Sequence, residues 1–431
     1  MVLSAAPIAV KTLAALLLAL TPVLPQARAA EAPNIVLIIS DDHAHSDYGF
    51  MGNTAVRTPN LDRIASESLL YPRGYVMPVC SPSLASLLTG RLPHQHGITG
   101  NDLTGSTGKD RHALADRLLA NPLILPKALS DAGYLTFQSG KLWNTTYRQV
   151  GFTHGMTDTA GRHGDAGLSI GRKGLKPMLD FIDAAAASAK PFFVWYAPLL
   201  PHDPHNPPAE LLAKYRGKGP TPAAEKYHAM VEWFDQTCGD LDAHLAKRGL
   251  TEKTILIYLA DNGWDGPLGY KGKRAKLTPY ETGIRTPIFI RWPGKVEPLR
   301  DDDTLASIID VVPTILKHAG IPVPADMQGI DLADHAAMRD REAVFVESYT
   351  HDIADLTVPE KSLLAHVVIR GAYKLLLPGS ARPDRPFSTK PAVPELFDLK
   401  SDPAETRNLA ADHPGLVREM TLLLESNWKN P

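Results

Sequence analysis

Cysteine is scarce in this sequence, which has only two, Cys80 and Cys238, among 431 residues. So few cysteines exclude the class of small domains that depend on several disulfide bonds. Neither sign of charge is in excess, because the formal net charge is only −2 at pH 7. Without a strong net charge the chain has no general attraction to nucleic acid or to an anionic membrane, and we expect neither as a partner.

Long apolar runs are lacking too. The run at residues 12–20 is well short of the roughly 20 apolar residues that a membrane-spanning helix needs. Lys11 precedes this run, and Ala27-Arg28-Ala29 has the small-x-small pattern of a cleavage site. Residues 1–29 are therefore typical of a secretory signal peptide. We expect a periplasmic or secreted protein with no membrane attachment after cleavage.

The sequence does have abundant proline and glycine, 37 and 32 residues, with short apolar segments between them. Runs rich in β-branched residues alternate with helical patterns as far as residue 340. This alternation predicts an α/β fold with a mixed, mostly parallel sheet sandwiched by helices. Shorter strand patterns then predict a small antiparallel α+β subdomain. We expect the main domain at residues 30–340 and the C-terminal subdomain at residues 341–431.

Polar residues follow four of the predicted strands. They are Asp41-Asp42, Lys141, His202 and Asp261-Asn262. Open α/β sheets bind ligands at the carboxyl ends of their parallel strands, so we expect these side chains to converge at one edge. For any one of these residues taken by itself, the alternative to a functional role is a position in a solvated turn. Convergence from four strands favours a functional site.

Four of these residues offer oxygen ligands: Asp41, Asp42, Asp261 and Asn262. Three carboxylates and a carboxamide suit a hard divalent cation and provide too little nitrogen or sulfur for structural zinc. The carboxamide and the loose spacing favour Ca²⁺, with Mg²⁺ as the alternative. Adjacent residues of an extended strand point in opposite directions. Asp41 and Asp42 can therefore serve one ion only if the chain turns between them.

Cys80 lies in the segment Pro78-Val79-Cys80-Ser81-Pro82, followed by a short apolar run that ends at Gly90. A cysteine that a rigid turn delivers to the start of a helix lies in positive potential from backbone N–H groups. Such a position suits a reactive or anion-binding side chain. The alternative from these residues alone is a buried, inert cysteine in a βα loop.

The longer pattern Cys-x-Pro-Ser-x-Ala-Ser-Leu-Leu-Thr-Gly-Arg, residues 80–91, resembles the signature of the type I sulfatases of the alkaline phosphatase-like superfamily. The resemblance extends from Asn34 to about Leu409 and implies an alkaline phosphatase-like fold. It further implies that a formylglycine-generating enzyme oxidises Cys80 to formylglycine, whose hydrate is the nucleophile. A Cys80–Cys238 disulfide would consume this precursor, so we expect both thiols to remain unbridged.

The resemblance also assigns roles to the strand-end residues. It implies that a metal is bound by Asp41, Asp42, Cys80 (as formylglycine), Asp261 and Asn262. It implies that Lys141, His202 and Lys276 hold the sulfate and protonate the leaving group. Lys276 fits better than Lys271 or Lys273 because it precedes the family-like run Thr278-x-Tyr280-Glu281-x-Gly283-Ile284-Arg285-x-Pro287. We expect the other two lysines to lie on a solvated face.

Two positions depart from the family pattern. Leu84 stands where the family has an arginine that steadies the aldehyde hydrate and helps the maturation enzyme recognise the segment. The family also commonly has a histidine shortly after the Gly-Lys pair, and the run after Lys141 lacks one. The candidates to replace it in space are His154, His163 and His205.

These observations favour an exported, metal-dependent sulfatase that acts on a sulfated small molecule or glycan. One alternative is a phosphoester hydrolase of the same superfamily, although those enzymes usually carry serine or threonine at the position of Cys80. The other is a non-catalytic homologue that binds sulfated glycans. The complete metal-ligand set and both lysines argue against loss of catalysis.

Overall fold

The computed structural model describes residues 1–2, 32–105, 111–142, 145–159, 165–264, 274–386 and 388–428. The chain divides into two units, Met1–Glu31 and Ala32–Pro431. Apart from Met1 and Val2, the predicted signal peptide lies outside the described residues. The described helices and strands all belong to the second unit.

The helices in chain order are α1 Pro59–Ser66, α2 Cys80–Thr89, α3 Pro93–His96, α4 Arg111–Leu119, α5 Leu125–Asp131, α6 Lys176–Ala187, α7 Ala209–Tyr215, α8 Pro222–Lys247, α9 Glu281–Ile284, α10 Val311–His318, α11 His335–Arg339 and α12 Pro414–Trp428. The strands are β1 Asn34–Ser40, β2 Leu69–Tyr75, β3 Asp102–Leu103, β4 Leu135–Gly140, β5 His154–Gly155, β6 Phe192–Ala197, β7 Thr254–Ala260, β8 Arg285–Arg291, β9 Leu299–Arg300, β10 Leu305–Ser307, β11 Val344–Tyr349, β12 Asp352–Ile353, β13 Leu363–Arg370, β14 Tyr373–Pro378 and β15 Glu395–Asp398.

The large central sheet has the strand order β10-β2-β8-β7-β1-β6-β4-β5, with β9 also paired to β2. The strands from β7 to β5 in this order run parallel to one another. Strand β8 is antiparallel to both of its neighbours, β7 and β2. The predicted mixed, mostly parallel sheet is therefore confirmed. The carboxyl ends of β1, β4, β6 and β7 lie side by side at one edge.

The sheet is covered on both faces, and the interior positions of its central strands β1, β6 and β7 are apolar. In β1, Ile35, Leu37 and Ile39 pack into one core cluster, and Val36 and Ile38 pack into the other. Helices α2, α5 and α10 contribute to the first cluster, and α1, α6 and α8 contribute to the second. Burial on both faces explains why the strands are continuous apolar runs without alternation.

A second sheet of the order β11-β13-β14-β15 is antiparallel throughout. Helix α12 packs on it through Met420 and Leu424, which contact a core that includes Val368 and Leu375. This is the antiparallel C-terminal architecture that the sequence predicts. Among the described residues, none of the helices combines the length and the apolar character that crossing a bilayer requires.

Candidate active site

Strand β1 delivers Asp41 and Asp42 to the edge of the sheet, and the chain turns between them. Asp42 has φ +59°, a left-handed conformation that residues with a Cβ seldom adopt. The backbone N–H of Asp41 donates to the carbonyl of Leu200 at 3.0 Å, and that of Asp42 donates to Oδ1 of Asp261 at 3.2 Å. Because the chain turns here, the carboxylates of Asp41 and Asp42 can both face one site.

Strand β7 brings Asp261 and Asn262 beside them. It pairs with β1 in register up to Ser40 and Ala260, and the backbone N–H of Asp261 continues the ladder to the carbonyl of Ser40 at 2.9 Å. The Asn262 amide then donates through Nδ2 to Oδ1 of Asp42 at 2.8 Å. The four predicted oxygen ligands therefore lie together, and all are almost completely buried.

Strand β4 places Lys141 against these carboxylates. Its Nζ lies 2.6 Å from Oδ1 of Asp41 and 3.7 Å from Oδ2 of Asp261. Gly140 makes this possible, because its φ is +81° and a Cβ there would lie 1.8 Å from the carbonyl oxygen of Ala197. A residue with a side chain could not bring Lys141 so close to β6.

The loop after β6 carries His202. Its Nδ1 lies 2.8 Å from a carboxylate oxygen of Asp203, and its Nε2 lies 3.4 Å from Oδ2 of Asp42. Arg172 holds this loop from outside, because its guanidinium donates to the carbonyls of Leu199 and His202 at 2.8 and 2.7 Å. The imidazole is therefore oriented by Asp203 on one side and faces the acidic cluster on the other.

Lys276 also reaches the cluster and contacts Oδ1 of Asp42 through Nζ. The next residue, Leu277, donates its backbone N–H to the carbonyl of Pro78 at 2.9 Å. This bond fixes the lysine segment beside the turn that precedes Cys80. Lys271 and Lys273 lie outside the described residues, and the predicted solvated positions for them stay predictions.

Cys80 is the first residue of α2 and is 2% exposed. Both Lys141 and Lys276 lie close enough to act electrostatically on its thiol. Burial nevertheless raises the pKa of Cys80, because it penalises the thiolate more than the two ammonium groups favour it. An unmodified Cys80 is therefore a neutral thiol, which is a poor nucleophile. Cys80 and Cys238 are both free, as expected.

The electrostatics of the cluster are those of crowded carboxylates with cationic neighbours. Burial alone would raise the pKa of Asp42, but Lys276 and His202 outweigh it and lower that pKa well below its ordinary value. Burial and then repulsion from Asp41 raise the pKa of Asp261. Burial alone would lower the pKa of His202, but the carboxylates raise it. The cluster thus favours cations over further anions.

Four oxygens of this cluster have no hydrogen-bond partner among the described residues: Asp41 Oδ2, Asp42 Oδ2, Asp261 Oδ2 and Asn262 Oδ1. Each comes from one of the predicted ligands. Buried polar atoms are nearly always satisfied, so these four require an explanation. A hard divalent cation satisfies carboxylate and carboxamide oxygens of this kind. The side chains of Asp41, Asp42 and His202 also lie close enough together to hold one ion. The donor set therefore fits a metal.

Asn101 and His351 form a pair at the site that the sequence did not predict, and Asn101 is the member that contacts Cys80. Asn101 lies 3.7 Å from the Cys80 sulfur, and its Nδ2 lies 3.1 Å from Nε2 of His351. Sequence patterns gave no signal for them, because the two are 250 positions apart and meet only in the fold.

Two of the three histidines predicted as replacements for the missing one, His154 and His205, lie among the described residues, and their surroundings differ. His154 lies on β5 beside Thr153 and the ring of Phe181. His205 packs near the rings of Tyr227 and Trp264, and it also lies close enough to His202, Asp203 and Asp42 to interact with them electrostatically. His163 lies outside the described residues.

Comparisons with known proteins identify the family of this chain. The family model "Sulfatase" matches residues 33–321, and the model "N-sulphoglucosamine sulphohydrolase, C-terminal" matches residues 268–427. The N-acetylgalactosamine-6-sulfatase of Canis lupus familiaris is 29% identical in an alignment of 381 positions, gaps included, that covers 76% of this chain and 70% of that protein. The N-acetylglucosamine-6-O-sulfatase of Bacteroides thetaiotaomicron is 25% identical in an alignment of 522 positions, gaps included, that covers 94% of this chain and 88% of that protein.

A solved structure of a protein in complex with its substrate, D-glucosamine-2-N,6-O-disulfate, superimposes with a TM-score of 0.69 and 22% identity. The match covers 93% of this chain and 98% of the other, and it shows that the two share their fold. The sulfatase model alone spans more than half of the chain. The chain therefore belongs to the sulfatase family, the sulfuric ester hydrolases with an alkaline phosphatase-like fold.

Proposed function

We propose that this chain is an exported, metal-dependent sulfatase that removes sulfate from a sulfated carbohydrate through formylglycine made from Cys80. The observation that carries the proposal is the composition of the cluster at the sheet edge. One buried cysteine lies within the electrostatic reach of two ammonium groups, beside four buried oxygens without hydrogen-bond partners among the described residues. The ammonium groups suit the negative charge of a sulfate ester, and the four oxygens suit a metal cation.

Asp41, Asp42, Asp261 and Asn262 would hold the metal, and the oxygen-only donor set favours Ca²⁺ over a softer ion. The metal would supply positive charge beside the sulfate oxygens, and the hydrated aldehyde of formylglycine would supply the oxygen that attacks sulfur. The buried ammonium groups of Lys141 and Lys276 neutralise charge on the sulfate as the ester S–O bond breaks.

The leaving oxygen needs a proton, and we assign its donation to His202 or Lys276, two cations that contact Asp42 in the cluster. Over the whole cycle one water is consumed and the ester S–O bond is broken. The alcohol keeps its own oxygen and gains a proton, and sulfate leaves with an oxygen that derives from water. A cysteine thiol could not release sulfate in this way, which is why the proposal requires the modification.

The names of the relatives support an amino sugar as the first substrate class to assay. Two enzymes that match most of this chain are named for the 6-sulfates of N-acetylgalactosamine and N-acetylglucosamine. Export fits such a substrate, since sulfated glycans are extracellular polymers and residues 1–29 are typical of a signal peptide.

The test combines a mass measurement with a substrate comparison on protein from the native host. We expect the tryptic peptide containing Cys80 to have the mass of formylglycine or its hydrate. We also expect turnover of an aryl sulfate to exceed that of the matching aryl phosphate. A Cys80→Ala variant should hydrolyse neither. Metal removal by a chelator should abolish turnover, and Ca²⁺ should restore it.

Each alternative function predicts a different result. Faster turnover of the phosphate would indicate a phosphoester hydrolase of the same superfamily. An unmodified thiol with sulfated-glycan binding and no turnover would indicate a binding protein. Either outcome would contradict the proposed hydrolysis of sulfate esters.

A further inference from the structure

The side-chain amide of Asn101 lies directly against Cys80. Both of its terminal atoms are 3.7 Å from the Cys80 sulfur, and its Oδ1 accepts the backbone N–H of Ser81 at 3.2 Å. Asn101 is 5% exposed, so bulk water does not compete for these contacts. The amide therefore touches both the reacting side chain and the first turn of the helix that carries it.

The bond from Ser81 fixes which way the amide points. A backbone N–H can only donate, so the atom that it meets is the oxygen, and the Asn101 Nδ2 faces His351. Nε2 of His351 must then accept, and its Nδ1 carries the proton. That proton points toward Oδ1 of Asp352 at 2.7 Å. Nη2 of Arg385 lies 3.1 Å from the same Nδ1, but it has both carboxylate oxygens of Asp352 as acceptors, at 2.8 and 2.9 Å. One consistent chain of donors runs from Cys80 through Asn101 and His351 to Asp352.

Backbone hydrogen bonds also hold Asn101 in place. Its N–H donates to the carbonyl of His351 at 2.7 Å, and the next residues pair in β3 with β12. Gly100 lets the two segments approach, since a Cβ there would lie 2.6 Å from the His351 carbonyl oxygen. A segment of the C-terminal part of the chain thus positions an amide at the nucleophile.

The contact between Asn101 and Cys80 is important because residue 84 is a leucine. It occupies the position at which the family has a polar side chain, yet here it lies among Ala85, Leu88, Ile98 and other apolar side chains. It has no group that could hydrogen-bond the side chain of residue 80.

We propose that Asn101, held by His351, is the positioning residue that orients the nucleophile in this enzyme. The inference deepens the proposed sulfatase function and rests on it.

The experiment compares kcat and KM of wild type and variants, with kcat divided by the formylglycine content measured on the Cys80 peptide. We expect Asn101→Ala to lower kcat by about 10- to 100-fold, the range found when a supporting hydrogen bond to a site group is lost. KM should change by less than about threefold, because substrate binding stays with the lysines. His351→Phe should lower kcat in the same direction, and His351→Gln, which keeps an acceptor for the Asn101 amide, should recover most of it.

A second measurement does not depend on activity. In chain produced without the maturation enzyme, Cys80 is a thiol, and its alkylation by iodoacetamide can be followed on its own peptide. Asn101→Ala should make this alkylation at least about tenfold faster, because the amide no longer covers and holds the sulfur. Asn121 provides the matched control, since its amide donates, among the residues that the structure describes, to the backbone carbonyls of His96, Arg117 and Leu118. Asn121→Ala should leave both the alkylation rate and kcat near wild type.

Two results would overturn the inference: an unchanged kcat per formylglycine in Asn101→Ala, or equal alkylation of Cys80 in that variant and the wild type. A wild-type enzyme without activity on sulfate esters would instead contradict the proposed function, and the alkylation comparison would still decide whether Asn101 holds residue 80.

Discussion

At the scale of single residues, Asp42 shows how the site divides its oxygens among cations. Oδ1 is contacted by Lys276 and by the amide of Asn262, while Oδ2 faces Nε2 of His202 at the longer distance of 3.4 Å. The lysine is thus drawn into the carboxylate cluster, where it acts as a fixed charge. His202 is oriented by Asp203 and has the longer contact, which suits a group that must give up a proton.

We therefore predict that His202, and not Lys276, protonates the leaving oxygen. His202→Gln should lower kcat at least about 100-fold for a sugar sulfate, whose alcohol is a poor leaving group, and far less for nitrophenyl sulfate, whose phenolate leaves without a proton. Lys276→Met is the control, since loss of a charge that binds the sulfate should slow both substrates by similar factors. Steady-state kinetics on the two substrates give the comparison. The opposite pattern would make Lys276 the acid.

At the scale of secondary structure, helix α2 explains why leucine is tolerated at position 84. The helix is buried along its whole length, and Leu84 is 1% exposed. It lines a small apolar cavity together with Leu88 of its own helix and Leu114 and Leu118 of α4. An arginine at this position would have to leave an apolar surrounding before it could reach the site. The departure from the family pattern is therefore matched by the apolar side chains of α4 on the far side of this cavity.

Leu84→Arg, although it restores the family pattern, should destabilise this chain. A charge left buried without a partner costs on the order of 3–5 kcal/mol, whereas the volume-conserving Leu84→Met should cost less than about 1.5 kcal/mol. Urea unfolding of the two variants and the wild type measures the difference in free energy of unfolding. An arginine variant as stable as wild type would show that the side chain finds a partner beside Cys80, and the packing explanation would then be wrong.

The elements that the sequence predicted are those with a strong local pattern. Strands β1, β6 and β7 are continuous apolar runs, and the predicted convergence of the polar residues after them follows from the parallel pairing. Asn101 and His351 could not be predicted in the same way. They meet because β3 and β12, two residues each, pair across about 250 positions of sequence. Two residues carry no periodicity, so only the tertiary fold brings this part of the site together.

At the scale of the whole molecule, two distant family-like segments meet around one buried lysine. Lys374 of β14 is fully buried and lies 3.2 Å from Glu281 and 2.8 Å from Glu405. Glu405 also accepts the backbone N–H of Glu281 at 2.8 Å. Glu281 belongs to the segment that follows Lys276, and Glu405 to the Asp-Pro-x-Glu-Thr run near the C-terminus. The second sheet is therefore joined to the segment that carries a candidate catalytic lysine.

We predict that Lys374→Met destabilises the fold by roughly 3–5 kcal/mol at pH 7.5, because two buried carboxylates lose their shared cation. Burial already raises the pKa of Glu405, and without Lys374 burial should raise the pKa of Glu281 as well. A carboxyl whose pKa is higher in the folded state than in the unfolded state costs stability as the pH rises through the folded value. The loss measured by urea unfolding should therefore be smaller at pH 5 than at pH 7.5.

The matched control is Lys176→Met, whose exposed pair with Asp180 should contribute less than about 1 kcal/mol at either pH. An equal loss at both pH values would mean that lost packing, and not the charge of Lys374, accounts for the effect.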